Sequence, residues 1–218
     1  MKEAFLPLFL DLKDRACLLV GAGEEAIRKG SLLLNAGACL QLVSPEGMAR
    51  SWPEDFQGRI RWRDTVFHPQ YLDGIWLVVS THLERSVNEM IRKEAENRGI
   101  FVNVVDQPEF CSAIWPALIS RPPVSVAIST GGTGPALSGW LRHRISERLP
   151  DDLGEMAQWF AHWRKMMASE FTSLEQRGRF WKGLFSDGLL DRFLSGDRVG
   201  AEQMIRDAAA IWRKKMSS

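Results

Sequence analysis

The 218-residue chain is 45% hydrophobic and 25% charged, a composition typical of a globular protein with one large or two small domains. A formal net charge of +1 excludes a general attraction to nucleic acid or anionic lipid. No apolar run reaches the roughly 18 residues that a membrane span needs, and three scattered cysteines without a CxxC pair favour reduced thiols and a cytoplasmic location.

The first half of the sequence alternates strand patterns with helix patterns. Apolar or alternating runs predict five strands, at 16–23, 38–46, 59–67, 74–81 and 100–106. Amphipathic segments that each end at a glycine predict helices at 24–37 and 86–99. This repetition indicates an α/β fold with a Rossmann-type, doubly wound parallel sheet. Cys17 and Cys39 fall inside two of the runs, so we expect both in the core.

The pattern changes after residue 111. Residues 124–130 predict one more strand, which a glycine-rich turn and a helix follow. Beyond Pro150, apolar residues at spacings of three and four predict an amphipathic helix, and RFWKGLFSDGLLDRFLSG and AEQMIRDAAAIWRKK predict further helices. The sequence therefore divides into an α/β domain at 1–112, a strand and helix region at 113–150 and a helical domain at 151–218.

A glycine motif joins the first predicted strand to the first helix. Gly21-Ala22-Gly23-Glu24-Glu25-Ala26 matches GxGxxG/A, in which Gly21 permits a tight turn and Gly23 lets the backbone approach a pyrophosphate. The helix that follows offers free N–H groups and a positive dipole end to the phosphates. The motif predicts dinucleotide binding, although a structural turn also uses glycines in this way.

The end of the second predicted strand is the expected site of the cofactor ribose. Ser44, Pro45 and Glu46 follow that strand, and an acidic residue there can bind the ribose hydroxyls. Glu46 is displaced from the usual position and equally fits a solvated loop carboxylate. No arginine stands at these three positions to meet a 2′-phosphate, which favours NAD over NADP.

The last strand of the sheet carries Asp106 to the same edge as the glycine motif. A carboxylate at that edge suits a general base beside a bound nicotinamide. The alternative is a turn residue ahead of Pro108. His82 also follows a strand end, where it either lines the cleft or is a bystander, and the four histidines share no metal-ligand spacing.

A second glycine-rich segment lies between the 124–130 strand and its helix. Ser129, Thr130, Gly131 and Gly132 would form a nest of N–H donors for an anion, or else a local helix cap. Arg142 and Arg144 on the helix would recognise an acidic ligand, or else form a solvated basic face.

Three stretches together resemble the precorrin-2 dehydrogenase/sirohydrochlorin ferrochelatase family, the N-terminal module of siroheme synthases. They are LPLFLDLKDRACLLVGAGEEAIRKGSLLLNAGA, NVVDQPEFCSAIWPALISRPPVSVAISTGGTGPALS and LRHRISERLP. The segment RGRFWKGLF is similar to the helical part of the longer synthases. The resemblance implies a homodimer with an NAD-binding Rossmann domain at 1–112, a dimerisation region at 113–150 and the helical domain.

The resemblance also implies an activity. Family members oxidise precorrin-2 to sirohydrochlorin with NAD⁺, and many then insert Fe²⁺ to give siroheme. The essential family aspartate falls on Asp106, and the Ser/Thr pair before the double glycine falls on Ser129 and Thr130. The NAD contacts of the family fall on Glu24, Glu25, Pro45 and Glu46. Many members have a Thr-Asp pair where this chain has STHLERSVN, so no role is carried over to that loop.

Two other functions fit the same residues. A metal chelatase that lacks the redox step would insert metal without turnover of NAD⁺. A non-enzymatic, dimeric NAD sensor would use the glycine motif equally well, but it gives no reason for Asp106 or for the basic helix.

Overall fold

The computed structural model describes residues 5–45, 52–132 and 134–216. It contains two compact units. The first holds the described residues up to Trp115 together with Gly131, Gly132 and Gly134, and the second holds Pro116–Thr130 and the described residues from Pro135 onward. The domain boundaries given above, near 112 and 150, stay predictions.

The first unit is built on a five-stranded parallel sheet with strand order β3-β2-β1-β4-β5. The strands are β1 Ala16–Val20, β2 Cys39–Val43, β3 Ile60–Arg63, β4 Leu77–Ser80 and β5 Phe101–Val104. Helices α1 Gly23–Asn35, α2 Glu54–Gln57 and α3 Arg85–Asn97 follow β1, β2 and β4. The order reverses between β1 and β4, which is the switch point where doubly wound sheets bind ligands. The predicted Rossmann-type α/β fold is confirmed.

Both faces of this sheet are buried at its central strands, β1 and β4. On one face, Leu19 and Val79 pack with Leu33 of α1, and on the other, Leu18 and Val78 pack with Ile91 of α3. Successive side chains of a strand point to opposite faces, so a sheet that is covered on both sides needs apolar residues at every position. This requirement explains the continuous apolar runs from which the strands were predicted.

The outer edge of β5 is covered by the chain's own residues 111–113. Val102 N–H donates to Ser112 Oγ at 2.9 Å, while the amides of Ser112 and Ala113 donate to the Val102 carbonyl at 3.0 and 2.9 Å. Two residues along, Val104 N–H donates to Cys111 Sγ at 3.2 Å. The segment satisfies the backbone groups of the edge strand, which would otherwise be open to pairing.

The second unit combines a hairpin with a helical bundle. Strands β6 Ala117–Arg121 and β7 Val124–Ile128 pair antiparallel. The helices are α4 Pro135–Ser146, α5 Leu153–Met166, α6 Leu174–Ser186, α7 Leu189–Leu194 and α8 Arg198–Met216. Trp163, Phe180, Trp181 and Phe193 are buried in the core of the bundle, which confirms the predicted helical region. No helix in the described ranges is long and apolar enough to cross a membrane.

Three local expectations are wrong. The segment RFWKGLFSDGLLDRFLSG forms two helices, α6 and α7, because Gly188 between them adopts a φ of +84°. Cys39 is exposed at the first position of β2, whereas Cys17 is buried as expected. Strand β6 was missed, since its five residues, of which only Ile119 is buried, give a short alternating pattern before the Pro122–Pro123 turn.

A side chain at Gly154 is expected to destabilise the second unit. A Cβ at this position in α5 would overlap the carbonyl oxygen of Pro122 and lie 3.0 Å from that of Arg121. We expect Gly154→Ala to lower the free energy of unfolding by about 1–3 kcal/mol, as overpacking against backbone does. Urea denaturation followed by tryptophan fluorescence measures this change.

Gly183→Ala is the matched control, because a Cβ at Gly183 in α6 would lie more than 4 Å from every atom in the part of the chain that the structure describes. Its expected effect is a stabilisation of about 0.5–1 kcal/mol from the higher helix propensity of alanine. Equal effects of the two substitutions would show that the α5 contact with the hairpin turn is not a packing constraint.

Candidate active site

The glycine motif forms the turn between β1 and α1. Gly21 and Gly23 have φ values of +116° and +84°, in the region that favours glycine. The helix begins at Gly23 after Ala22, which offers no side-chain cap to the N–H groups of the first turn. A Cβ at Gly23 would meet no atom of the described residues within 4 Å, so these residues leave the turn open. These features suit a pyrophosphate at the helix N-terminus.

Gly21 is also the point where three strand ends meet. Its N–H donates to the Val43 carbonyl at 3.0 Å, while Thr81 N–H donates to the Val20 carbonyl at 2.9 Å. A Cβ at Gly21 would overlap Thr81 Oγ1 and lie 3.2 Å from the amide nitrogen of His82. Because Gly21 has no side chain, the loop after β4 packs directly against the glycine turn.

A buried polar network fixes this loop. Ser80 Oγ donates to Asn88 Oδ1 at 2.6 Å, and Asn88 Nδ2 donates to the His82 carbonyl at 2.8 Å. His82 N–H lies 3.2 Å from Ser80 Oγ, and His82 Nδ1 accepts the Glu84 amide at 3.1 Å. Ser80 and Asn88 are fully buried, so their hydrogen bonds hold the loop rigidly. His82 is a structural member of the loop.

At the end of β2, the backbone of Ser44 is paired with β3. Ser44 N–H donates to the Arg63 carbonyl, and the Ser44 carbonyl accepts Trp62 Nε1, both at 3.2 Å. Pro45 is exposed next to it, and Glu46 lies outside the described residues. The guanidinium carbon of Arg63 lies 5.1 Å from the Tyr71 ring centroid. Arg63 is an arginine next to Ser44 across the sheet, outside the positions 44–46 on which the preference for NAD over NADP is based.

Asp106 stands two residues beyond β5 at the carboxyl edge of the sheet. It is exposed, and its φ of +58° lies in the left-handed region, which residues with a Cβ rarely adopt and which aspartate tolerates better than most; Asp14 shares this conformation. Such a conformation costs on the order of 1 kcal/mol and is concentrated at functional sites. Among the described residues, none forms a hydrogen bond or an ion pair with its carboxylate.

Glu25, Arg28 and Lys29 form a cluster of charged side chains on α1, the helix that follows the glycine turn. The Glu25 carboxylate accepts two hydrogen bonds from Arg28, at 2.6 and 2.8 Å, which hold its pKa below the usual range. Lys29 is only 5% exposed, with Nζ 3.7 Å from Glu25 Oε1 and 4.4 Å from the Trp115 ring centroid. Burial lowers the pKa of Lys29 to about 8, and attraction to Glu25 and Asp106 opposes that change.

The remaining predicted site residues lie after β7. Ser129, Gly131 and Gly132 are exposed and Thr130 is partly exposed, with φ values of +63° and +81° at the two glycines. Arg142 and Arg144 are exposed on α4, where Arg144 lies 3.6 Å from Glu147. Within the described ranges, no group of three or more His, Cys, Asp or Glu side chains could hold a metal ion.

Comparison with known proteins places this arrangement in a family. A model described as "Putative NAD(P)-binding" matches residues 8–117. The model of the sirohaem biosynthesis protein central region matches residues 121–148, and that of the sirohaem synthase dimerisation region matches 152–208. The chain belongs to the sirohaem synthase family.

Curated relatives carry the same name. Residues of this chain are 41% identical over 201 positions to "Siroheme synthase" of Photorhabdus laumondii and 42% identical over 204 positions to that of Methylobacillus flagellatus. Each match covers 92% of this chain and 43% of the relative, so the chain spans less than half of these proteins. The solved structure of "SirC, precorrin-2 dehydrogenase" is similar in fold, with a TM-score of 0.75 at 22% identity over 94% of this chain and 98% of SirC.

Lys29, Asn88 and Trp115 take part in the contacts described above but were not predicted from the sequence as members of the site. Lys29 lies three residues after Ala26 and four before Leu33, both of which face the core. A lysine at this helical spacing is a signal that sequence alone provides. The partners of Asn88 and Trp115 come from other segments, so only the folded structure reveals them.

The buried ammonium of Lys29 predicts a pH dependence of stability. Its pKa of about 8 in the folded chain lies below the ordinary value of 10.5, so the unfolded chain binds more protons between these values. The neutral form of Lys29 therefore contributes its full stabilisation of the folded chain above pH 10.5, and this stabilisation is lost as the pH falls through 8. We expect the stability of wild type, relative to Lys29→Met, to rise by about 1–3 kcal/mol from pH 7 to pH 10.5. Urea denaturation across this range measures it, and a constant difference would contradict the assignment.

Proposed function

We propose that this protein is an NAD⁺-dependent dehydrogenase that oxidises precorrin-2 to sirohydrochlorin in siroheme biosynthesis. The position of Asp106 carries the proposal: an exposed carboxylate in a left-handed conformation stands at the ligand-binding edge of a Rossmann sheet. The names of the relatives, siroheme synthase and precorrin-2 dehydrogenase, support this substrate class.

The first unit has the features that a dinucleotide needs. Gly21 and Gly23 leave the N-terminus of α1 open to a pyrophosphate, beside Glu24 and Glu25. Ser44 and Pro45, followed by Glu46, would take the adenosine ribose, and the lack of arginine at these positions favours NAD over NADP. When bound, NAD⁺ supplies the acceptor for the hydride.

The chain's own contribution to the reaction is proton transfer and substrate binding. Oxidation of precorrin-2 removes two hydrogens, one as a hydride with its electron pair and one as a proton. Asp106 accepts the proton on a carboxylate oxygen and, being exposed, passes it on to water. Ser129, Thr130 and the amides of Gly131 and Gly132 would bind carboxylates of the tetrapyrrole, as would the cations Arg142 and Arg144.

The same carboxylate suits a second reaction, the insertion of Fe²⁺ into sirohydrochlorin. Iron enters this reaction as a substrate, and the macrocycle nitrogens bind it. The two pyrrole protons that it displaces need an acceptor, and Asp106 is an exposed carboxylate that no described residue neutralises by an ion pair.

We infer that the active form is a homodimer. The sirohaem synthase dimerisation model matches residues 152–208, and the second unit also exposes Leu137 and Trp140 on α4, which are 51% and 58% accessible. The cytoplasmic location expected from the reduced cysteines belongs to this proposal and stays a prediction.

Substitution of Asp106 separates its chemical role from its backbone role. We expect Asp106→Asn, which tolerates the left-handed conformation, to keep its stability and lose at least about 100-fold in kcat for NAD⁺-dependent oxidation of precorrin-2. Asp106→Gly should lose the same activity but gain about 1 kcal/mol in stability, because glycine relieves the positive φ. Sirohydrochlorin absorbance and urea denaturation measure the two effects.

The same assay decides between the alternatives. Insertion of Fe²⁺ without any turnover of NAD⁺ by wild type would support a chelatase that lacks the redox step. Binding of NAD⁺ without binding of a tetrapyrrole would support a sensor. Full activity of Asp106→Asn would exclude the proton-transfer role.

Trp140 offers a test of the homodimer. We expect Trp140→Glu to shift the molar mass in light scattering from dimer towards monomer, because a charge replaces an exposed aromatic side chain. Val66→Glu is the control, since Val66 is 69% exposed but lies in the first unit. An unchanged dimer in Trp140→Glu would remove this surface from the proposed interface.

A further inference from the structure

Cys111 is a partly buried thiol to which the reaction described above gives no role. Its Sγ lies 3.2 Å from the amide nitrogen of Val104 and 3.3 Å from the carbonyl oxygen of the same residue. The carbonyl oxygen of Gln107 lies 3.6 Å from this sulfur. Val104 and Gln107 bracket Asp106 in the chain, so one side chain contacts both ends of the turn that carries the proposed base.

The backbone hydrogen bonds of this turn are unequal. Val105 N–H donates to the Ser80 carbonyl at 2.9 Å, whereas Gln107 N–H reaches the Val104 carbonyl at 3.4 Å. The Asp106 carboxylate has no hydrogen bond or ion pair with a described residue, so its position follows from that of its backbone. The φ of +58° at that backbone costs energy and persists only where the surroundings enforce it. Further contacts to the turn therefore matter for where the carboxylate stands.

The segment that carries the sulfur is itself anchored on both sides of Cys111. Phe110, the residue before it, is buried in the core on the α3 side of the sheet. The amides of Ser112 and Ala113, the residues after it, donate to the Val102 carbonyl at 3.0 and 2.9 Å. Because the chain is fixed before and after Cys111, its side chain is a firm point against which the turn can be held.

The chemistry of a thiol suits this arrangement. A sulfur accepts an N–H weakly and donates its single hydrogen weakly, so each contact of Cys111 is modest by itself. Here Sγ accepts the Val104 amide, while its hydrogen is available to the carbonyl of Val104 or to that of Gln107. These contacts fix the separation of the two ends of the turn.

We propose that Cys111 is a positioning residue for Asp106, because its thiol joins the two residues that bracket the turn and so fixes the place of the carboxylate at the edge of the sheet. This inference rests on the proposed function, since it assigns Cys111 to the reaction in which Asp106 accepts the proton. Cys111 touches no reacting atom and acts through the backbone of the turn.

The link between the sulfur and the turn can be measured without any turnover. We expect Cys111→Ala to raise the hydrogen-exchange rates of the Val104 and Gln107 amides by about tenfold, because the turn loses a contact at each end. Ser112→Ala is the control, since Ser112 Oγ accepts the Val102 amide and its loss should speed exchange at Val102 but not at Gln107. Unchanged exchange at Gln107 in Cys111→Ala would overturn the proposal.

Removal of the sulfur should lower turnover more than ligand binding. We expect Cys111→Ala to lose on the order of tenfold in kcat, with KM for precorrin-2 and NAD⁺ changed less than about twofold, because the base is displaced while the groups that bind the ligands are intact. Cys111→Ser keeps a donor and an acceptor at this position and should recover most of the lost kcat.

The variant Ser112→Ala separates this role from a merely structural one. It removes a hydrogen bond of 2.9 Å from the same segment to the same strand, but at Val102, away from the turn. We expect it to lower the melting temperature and leave kcat unchanged. A cysteine that only covers the edge of β5 would give the same result in Cys111→Ala, and an unchanged kcat in that variant would contradict the positioning role.

A double-mutant cycle shows whether Cys111 acts through Asp106. In the Asp106→Asn background, we expect Cys111→Ala to cause no further loss in kcat, since the group that the thiol positions is already inactive. A second loss of about tenfold in that background would overturn the proposal, because the effect would then not pass through the carboxylate.

These measurements distinguish failure of this inference from failure of the proposed function. Absence of precorrin-2 oxidation in wild type would overturn the proposed function and, with it, the role of Cys111 in that reaction, even where exchange at Gln107 responds to Cys111→Ala. Oxidation by wild type and by Cys111→Ala with the same kcat would overturn the role of Cys111 alone.

Discussion

The candidate site depends on the contact between Gly21 and the loop after β4. Because Gly21 has no Cβ, Thr81 can approach the glycine turn, and the ends of β1, β2 and β4 converge at the switch point of the sheet. The hydrogen bond between the buried side chains of Ser80 and Asn88 then fixes this loop from its buried side. Strand ends and a loop that are fixed in this way can position a mobile ligand against a side chain such as Asp106.

Charge on the first two turns of α1 is arranged in two layers. At the surface, Glu25 is engaged with Arg28 and so is not simply a free acceptor for a ligand. Beneath them, Lys29 retains a charge that the interior disfavours. The helix therefore presents backbone N–H donors at its N-terminus, while the charged side chains of its first two turns pair mainly with one another.

Sequence periodicity predicted the parallel sheet and the helices α1 and α3, which follow β1 and β4, because a sheet covered on two faces requires continuous apolar strands and amphipathic helices between them. It also predicted Asp106 at a strand end, since the apolar run stops just before it. The exposure of Cys39 and the break at Gly188 could not be predicted, because each depends on where an element ends in space. The network of Ser80 and Asn88 joins residues whose proximity only the loop geometry creates.

The cover on β5 has a consequence for how copies of this chain can associate. Residues 111–113 take up the outward N–H and C=O groups of Val102 and Val104, partly through the sulfur of Cys111. A second chain that approached this side would find no backbone ladder to extend. Association on this side would have to rely on side chains. The chain's own segment 111–113, and not a partner, therefore ends the sheet at β5.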